Sequence, residues 1–154
     1  NLSKERVSPS KIESKYMLDF GDILFARSGA TVGKNYVHLI DEPAIYAGYL
    51  VCLKVNSAMA LPKFVYYSVN TSWYNKFVYE RKSNSSQPNI NAQQYSAFKI
   101  PLPSLEVQKY IVEKLDKFDT LVHDISQGLP KEIELREKQY IYYRERLLNF
   151  SKED

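Results

Sequence analysis

The chain has 154 residues, of which 44% are hydrophobic, 25% charged and 14% aromatic. This balance suits one folded domain, or one small domain with an appendage, and excludes a disordered chain. The net charge of +3 is unevenly spread: residues 1–100 hold 12 Lys/Arg against 7 Asp/Glu (+5), and residues 101–154 hold 9 against 11 (−2). The first part can be attracted to a polyanion, whereas the second reads as a solvated helical surface. No run approaches the roughly 18 to 20 apolar residues of a membrane helix, so no membrane partner is expected. The single cysteine, Cys52, excludes an internal disulfide framework and a multi-cysteine metal site. Asn1 is not a start methionine and no charged-then-apolar leader follows it. The chain therefore reads as starting inside a longer protein in a reduced, cytoplasmic setting, without a secretory signal.

In chain order, Asp22 to Arg27 reads as a short strand after the turn at Phe20-Gly21, and Asn35 to Leu39 as another. Ala44 to Val55 reads as one longer strand with Tyr49, Val51, Leu53 and Val55 on one face. Pro62 can open a helix, on which Tyr66, Val69, Trp73 and Phe77 form a core-facing stripe. Residues 83–89 form a polar loop, and Phe98-Lys99-Ile100 reads as a short returning strand. Pro101 and Pro103 then force an extended approach. Ser104 can cap a helix starting at Leu105, with Glu106 at its positive end.

Beyond Ser104, apolar residues fall at Ile111, Leu115, Phe118, Val122, Ile125 and Leu129, in alternating steps of four and three that define a heptad seam. A second seam runs through Ile133, Tyr140, Tyr143, Leu147 and Phe150, after the breaker Gly128-Leu129-Pro130. The near-continuous phase suits a kinked, roughly collinear arm, which if straight would span about 70 Å. A tight helical hairpin is the alternative. A narrow seam needs a mate, expected from another chain or from a missing part of the parent protein, so Ile111, Leu115, Phe118, Val122, Ile125, Tyr140 and Leu147 are the expected dimerisation residues. The competing possibility is an arm that packs on its own globular part. The whole is an α+β chain: a mixed α/β head at 1–103 and a long coiled-coil arm at 104–154.

Gly29-Ala-Thr-Val-Gly33-Lys34-Asn35 fails as a phosphate-binding loop, because three residues rather than four separate the glycines and no Ser/Thr follows the lysine. A tight strand-to-strand loop fits better, with Arg27, Ser28, Thr31 and Lys34 able to donate to an anion; a merely structural turn is the alternative. The stretch Glu80 to Tyr95 combines Arg81 and Lys82 with Asn84, Ser85, Ser86, Gln87, Asn89, Asn91, Gln93 and Gln94. Amides pair with adenine edges and Arg or Lys with guanine, so the stretch can read bases, although a flexible polar loop has the same composition. Cys52 reads as an inert thiol and His38 as a structural histidine, while His123 lies one step off the seam. No nucleophile–base pair, metal-ligand spacing or cofactor loop is found, so neither a catalytic residue nor a cofactor is expected.

Four segments in order carry a specific resemblance. Gly21-Asp-Ile-Leu-Phe-Ala-Arg-Ser-Gly29 through Gly33-Lys34, Gln87-Pro-Asn-Ile-Asn91, Ile100-Pro-Leu-Pro-Ser-Leu-Glu-Val-Gln108, and Gly128-Leu-Pro-Lys-Glu-Ile-Glu134 with Lys138-Gln-Tyr140 and Tyr142-Tyr-Arg144 resemble the DNA specificity subunits of type I restriction–modification systems. The resemblance implies a non-catalytic subunit whose target recognition domains each read half of a split duplex sequence at a spacing set by long helices. It also implies DNA adenine methyltransferase and motor-nuclease subunits as partners. This chain would carry one recognition domain, truncated at its N-terminus, and one arm. It would pair as a homodimer or with the other half of a full subunit. Arg27, Lys34, Arg81 and Lys82 would hold phosphates or guanine, and Asn84, Ser85, Ser86 and Gln87 would discriminate bases. The competing reading is a protein–protein scaffold whose head touches no base.

Overall fold

The computed structural model describes residues 13–83, 85–125 and 130–149. Asn84, Gly128, Leu129 and Phe150 lie outside these residues, as do the side chains of His123, Ile125 and Ile133. The apolar run Ile23–Ala26 (β2) forms the centre of an antiparallel sheet, flanked by Asn35–Val37 (β3) and Leu50–Leu53 (β5). Register pairs Ile23 with Val37 and with Leu53, and Phe25 with Asn35 and with Val51. Strand alternation then sends Ile23 and Phe25 into the main core and Leu24 to the opposite face.

The single strand expected over Ala44 to Val55 is two strands in two sheets. Ala44–Ile45 (β4) pairs with Met17–Leu18 (β1), and a turn closed by Leu50 N–H on Ala47 C=O separates it from β5. Gly48 and Tyr49 sit in that turn, so Tyr49 is exposed rather than aligned with Val51 and Val55. The β2–β3 turn depends on glycine at two positions, Gly29 (φ 75°) and Gly33 (φ 88°). A methyl at Gly33 would lie 2.5 Å from a Val78 methyl, whereas one at Gly29 would meet open space.

Pro62–Ser68 (α1) and Ser72–Arg81 (α2) replace the one helix that the Tyr66 to Phe77 stripe suggests. The break follows from local polar competition. Asn70 Nδ2 turns back to Tyr66 C=O at 2.7 Å, and Thr71 caps a new helix, its Oγ1 accepting from Tyr74 N–H at 3.3 Å. Ala92–Ser96 (α3) was not expected. Asn91 and Gln94 build a full capping box around it, with amide-to-side-chain distances of 2.9 and 2.8 Å. Phe98 is not in a strand. Its ring instead plugs the core among Trp73, Tyr74 and Phe77, at centroid distances of 4.5 to 5.2 Å.

Leu105–Ile125 (α4) begins after Ser104, as the capping pattern suggests, and Pro130–Leu148 (α5) follows. The arm is a hairpin, not a collinear rod. Phe118 stacks on Tyr143 at 5.1 Å, and Leu148 shares a buried cluster with Ile111 and Leu115, so α5 runs back along α4. With 21 residues, α4 is about 32 Å long rather than about 70 Å. The same cluster includes Phe64 and Tyr67 of α1, with Tyr140 and Leu147 packed on its edge.

The expected dimerisation stripe is therefore corrected. Ile111 (3% exposed) and Leu115 (0%) are covered by the chain's own α1 and α5, Phe118 by Tyr143, and Val122 is half-buried. Heptad spacing requires a mate for the seam but does not say which chain supplies it. Polar groups complete this interface. Gln108, fully buried, accepts from Leu61 N–H at 2.9 Å and donates to Met59 and Pro103 carbonyls at 3.0 and 2.8 Å. Asp116 accepts from Tyr67 Oη at 2.6 Å and Lys63 Nζ at 2.7 Å.

Two predictions follow from this packing. Leu115→Ala should lower unfolding free energy by about 2 to 5 kcal/mol in urea titrations at any protein concentration, because the cavity opens inside one chain. A loss that vanished at high concentration would place the contact between chains. Gly33→Ala should cost more than Gly29→Ala, which bears only the left-handed backbone cost of about 1 to 2 kcal/mol. Equal midpoints for the two variants would contradict the close approach of Val78.

Candidate nucleic-acid interface

The β2–β3 turn is held from beneath by two buried tyrosines. Tyr95 Oη accepts from Gly33 N–H at 3.1 Å and donates to Ala26 C=O at 2.8 Å, and Tyr74 Oη donates to Gly33 C=O at 2.8 Å. Both rings lie against Phe25, at 5.1 and 6.2 Å. Burial pushes both phenols above their ordinary range, so they remain neutral donors. Backbone bonds from Ala26 N–H to Lys34 C=O (2.8 Å) and Lys34 N–H to Thr31 C=O (2.9 Å) close the turn.

The polar loop is fastened to the same turn. Ser28 and Asn89 form an antiparallel bridge, with Gly29 N–H on Pro88 C=O at 2.9 Å and Ile90 N–H on Arg27 C=O at 2.8 Å. Ile90, fully buried, anchors the loop in the core. Above it, Asn89 N–H donates to Ser83 Oγ at 3.0 Å, and Ser85 Oγ donates to Gln87 C=O at 2.8 Å. The two segments singled out by composition, far apart in sequence, thus form one surface.

On that surface Thr31, Arg81, Ser85, Ser86 and Gln87 are exposed, while Arg27, Ser28 and Lys82 are half-buried. The Arg81 guanidinium lies 5.4 Å from the Phe77 ring and the Lys82 ammonium 5.0 Å from the Tyr79 ring, so both cations are steered by aromatic neighbours. Tyr79 itself is 72% exposed. Lys34 is exposed, but it lines a separate cleft with Leu24, Tyr36, His38 and Leu50 on the opposite face of the sheet. Asn84 lies outside the described residues. Part of the amide inventory has a structural use, since the Asn91 and Gln94 side chains cap α3.

Tyr74 and Tyr95, which carry the turn, are not among the residues that composition and motifs single out. Tyr74 falls just off the Tyr66 to Phe77 stripe, and the signal that could have found Tyr95 is the Asn-x-x-Gln box at Asn91 and Gln94, which places a helix there. Cys52 is half-buried on β5, and burial raises its thiol to about 11, which suits an unreactive side chain. His38 is buried, with Nε2 3.4 Å from Glu42 C=O. Asp22, also buried, bonds Lys54 Nζ at 2.5 Å, and Asp19 joins the same ammonium at 2.8 Å. Among the described residues, no three His, Cys, Asp or Glu side chains are grouped to hold a metal ion, and no helix is long and apolar enough to cross a membrane.

Comparison with known proteins places these features. Residues 7–135 match the family described as type I restriction modification DNA specificity domain. Over 92 residues (60% of this chain) the sequence is 44% identical to the specificity subunit of the type I restriction enzyme EcoR124I/EcoR124II of Escherichia coli. Over 101 residues (66%) it is 33% identical to the specificity subunit of the type I restriction enzyme MpnII of Mycoplasma pneumoniae. The matched stretches span 23% and 29% of those two relatives. With most of its length matched, and with the β2–β3 turn, the polar loop and α4 all inside the matched range, the chain belongs to the type I restriction modification DNA specificity domain family.

Proposed function

We propose that this chain is a non-catalytic DNA sequence-recognition module that reads one half of a bipartite duplex target. The observation that carries the reading is the Ser28–Asn89 bridge, which brings the basic turn and the Ser/Gln-rich loop onto one face in a member of this family. Arg27, Arg81 and Lys82 supply phosphate or guanine contacts, with Ser28 and Thr31 donating to backbone phosphates. Ser85, Ser86, Gln87 and Asn84 read base edges. Lys34, on the opposite face of the sheet, adds to the positive charge of the head without lying on this surface. The hydrogen-bonded loop presents these groups with part of their ordering cost already met in the free protein. The head spans residues 1–103 and the arm residues 104–154, and the arm is the frame on which DNA adenine methyltransferase subunits and the motor-nuclease subunit dock, in the cytoplasm.

A second reading, that the arm is chiefly a protein-docking scaffold, is favoured by one observation. After the hairpin has closed, Val107, Tyr110 and Leu121 on α4 and Leu135, Ile141 and Tyr142 on α5 are still exposed. In the proposed assembly this outer face, rather than the buried seam, pairs two copies or pairs this chain with the other half of a full subunit. Leu121→Glu combined with Tyr142→Glu should shift sedimentation toward monomer without changing unfolding. An unchanged dimer would reject that face.

The base-reading claim is tested by titrating the chain against duplexes selected from a random pool and against random duplex, across salt. Specific binding should be tighter by at least about 10³-fold. Arg81→Ala and Lys82→Ala should each reduce the salt slope by about 1. A salt slope without sequence preference would favour the scaffold reading.

A further inference from the structure

The arm meets the head at three polar anchors. Two lie on α4 and reach α1 and the segment leading into it: Gln108 to Leu61 N–H and Met59 C=O, and Asp116 to Lys63 and Tyr67. The third comes from α5. On α5, Glu145 Oε1 accepts from Ser72 N–H at 2.8 Å and its Oε2 accepts from Ser72 Oγ at 2.7 Å. Ser72 is the first residue of α2, so its amide is one of the donors that a helix N-terminus leaves without an intrahelical partner. A carboxylate there also faces the positive end of the helix dipole. Arg144 Nη2 donates to the same Oε1 at 3.2 Å, while its guanidinium lies 5.5 Å from the Tyr140 ring. Burial alone would push the Glu145 carboxyl up; the bonds from Ser72 and Arg144 outweigh it and hold the group below its ordinary range.

These contacts differ in kind from the apolar core beneath them. Burial of Leu115 and Leu148 favours contact but is non-directional, and tolerates sliding and rocking. Directional anchors reaching two different head helices do not. Gln108 and Asp116 both tie α4 to α1 and the segment just before it, which leaves the arm free to pivot about the line joining them; the anchor from Glu145 to α2 removes that freedom.

We propose that Glu145 is the positioning residue that fixes the direction of the helical arm relative to the recognition head. On the reading given above, that direction decides where a second head meets the duplex, and so which gap between half-sites is read. Glu145 touches no DNA in this account; it acts through Ser72 and the orientation of α2, the helix whose last turn carries Arg81.

The test needs no DNA, so its outcome is independent of whether the head reads bases. Residual dipolar couplings are measured on the full ¹⁵N-labelled chain in a neutral alignment medium. In the unaltered protein, amides of β2, β3, β5, α1 and α2 and those of α4 and α5 should fit one alignment tensor. Glu145→Ala should lose that single fit and require a second, weaker tensor for the arm, with head couplings unchanged. Ser72→Pro guards against a folding defect. Proline suits the first helical position, and Thr71 before it is already extended (φ −98°, ψ 161°), yet both donors to the carboxylate are removed. It should reproduce the two-tensor result. Glu145→Gln, which still offers an acceptor to the Ser72 amide, should restore one tensor. A single tensor for both Glu145→Ala and Ser72→Pro in folded protein would overturn the assignment.

Discussion

Leu115 is the contact on which the architecture turns. It is fully buried where α4 meets Phe64 and Tyr67 of α1 and Leu148 of α5, so one side chain joins three helices and links head to arm. A narrow heptad stripe on an exposed helix is unstable in water, and here its mate lies in the same chain. Closing the hairpin shortens the arm's reach to about 32 Å for the 21 residues of α4, close to one turn of duplex DNA rather than two. It also divides the arm into a covered seam and an outer face, on which Tyr110, Leu121, Leu135 and Tyr142 are still exposed. Head and arm share a core, so they are held together by packing rather than by a linker alone.

The candidate reading surface rests on a similar use of buried groups to hold exposed ones. Tyr74 and Tyr95 spend their hydroxyls on the carbonyls and amide of a two-glycine turn, which would otherwise leave polar backbone unpaired next to Phe25. Ile90 draws the polar loop down beside it. The cost of ordering these loops is met mainly inside the core, leaving Arg81, Ser86 and Gln87 exposed above.

Much of the fold was legible wherever a local rule governed it. Ile23 to Ala26, Pro62 and Ser104 mark a strand and two helix starts by hydrophobic run, fixed φ and capping, and all three stand. The misreadings arose where tertiary partners decide. Ala44 to Val55 has the alternation of one strand, but β1 takes one end and β2 the other. Phe98 looks like strand and is a plug among aromatic rings. The seam of α4 was visible by period, yet period cannot identify the mate. For the candidate site, composition located both loops but not their bridge, because Ser28 and Asn89 are brought together by the Ile90 anchor and the β2–β3 turn. Lys34 sits close in sequence to Thr31 but lines the other face of the sheet, because the turn between them reverses the chain into β3.

The most direct test of the reading surface is amide hydrogen exchange on the full chain, with and without duplex DNA at low salt. Protection should rise at Arg27 to Thr31 and at Ser83 to Asn89 together, and stay unchanged along the outer faces of α4 and α5. Protection confined to the arm, with both loops exchanging as in the free protein, would contradict the account.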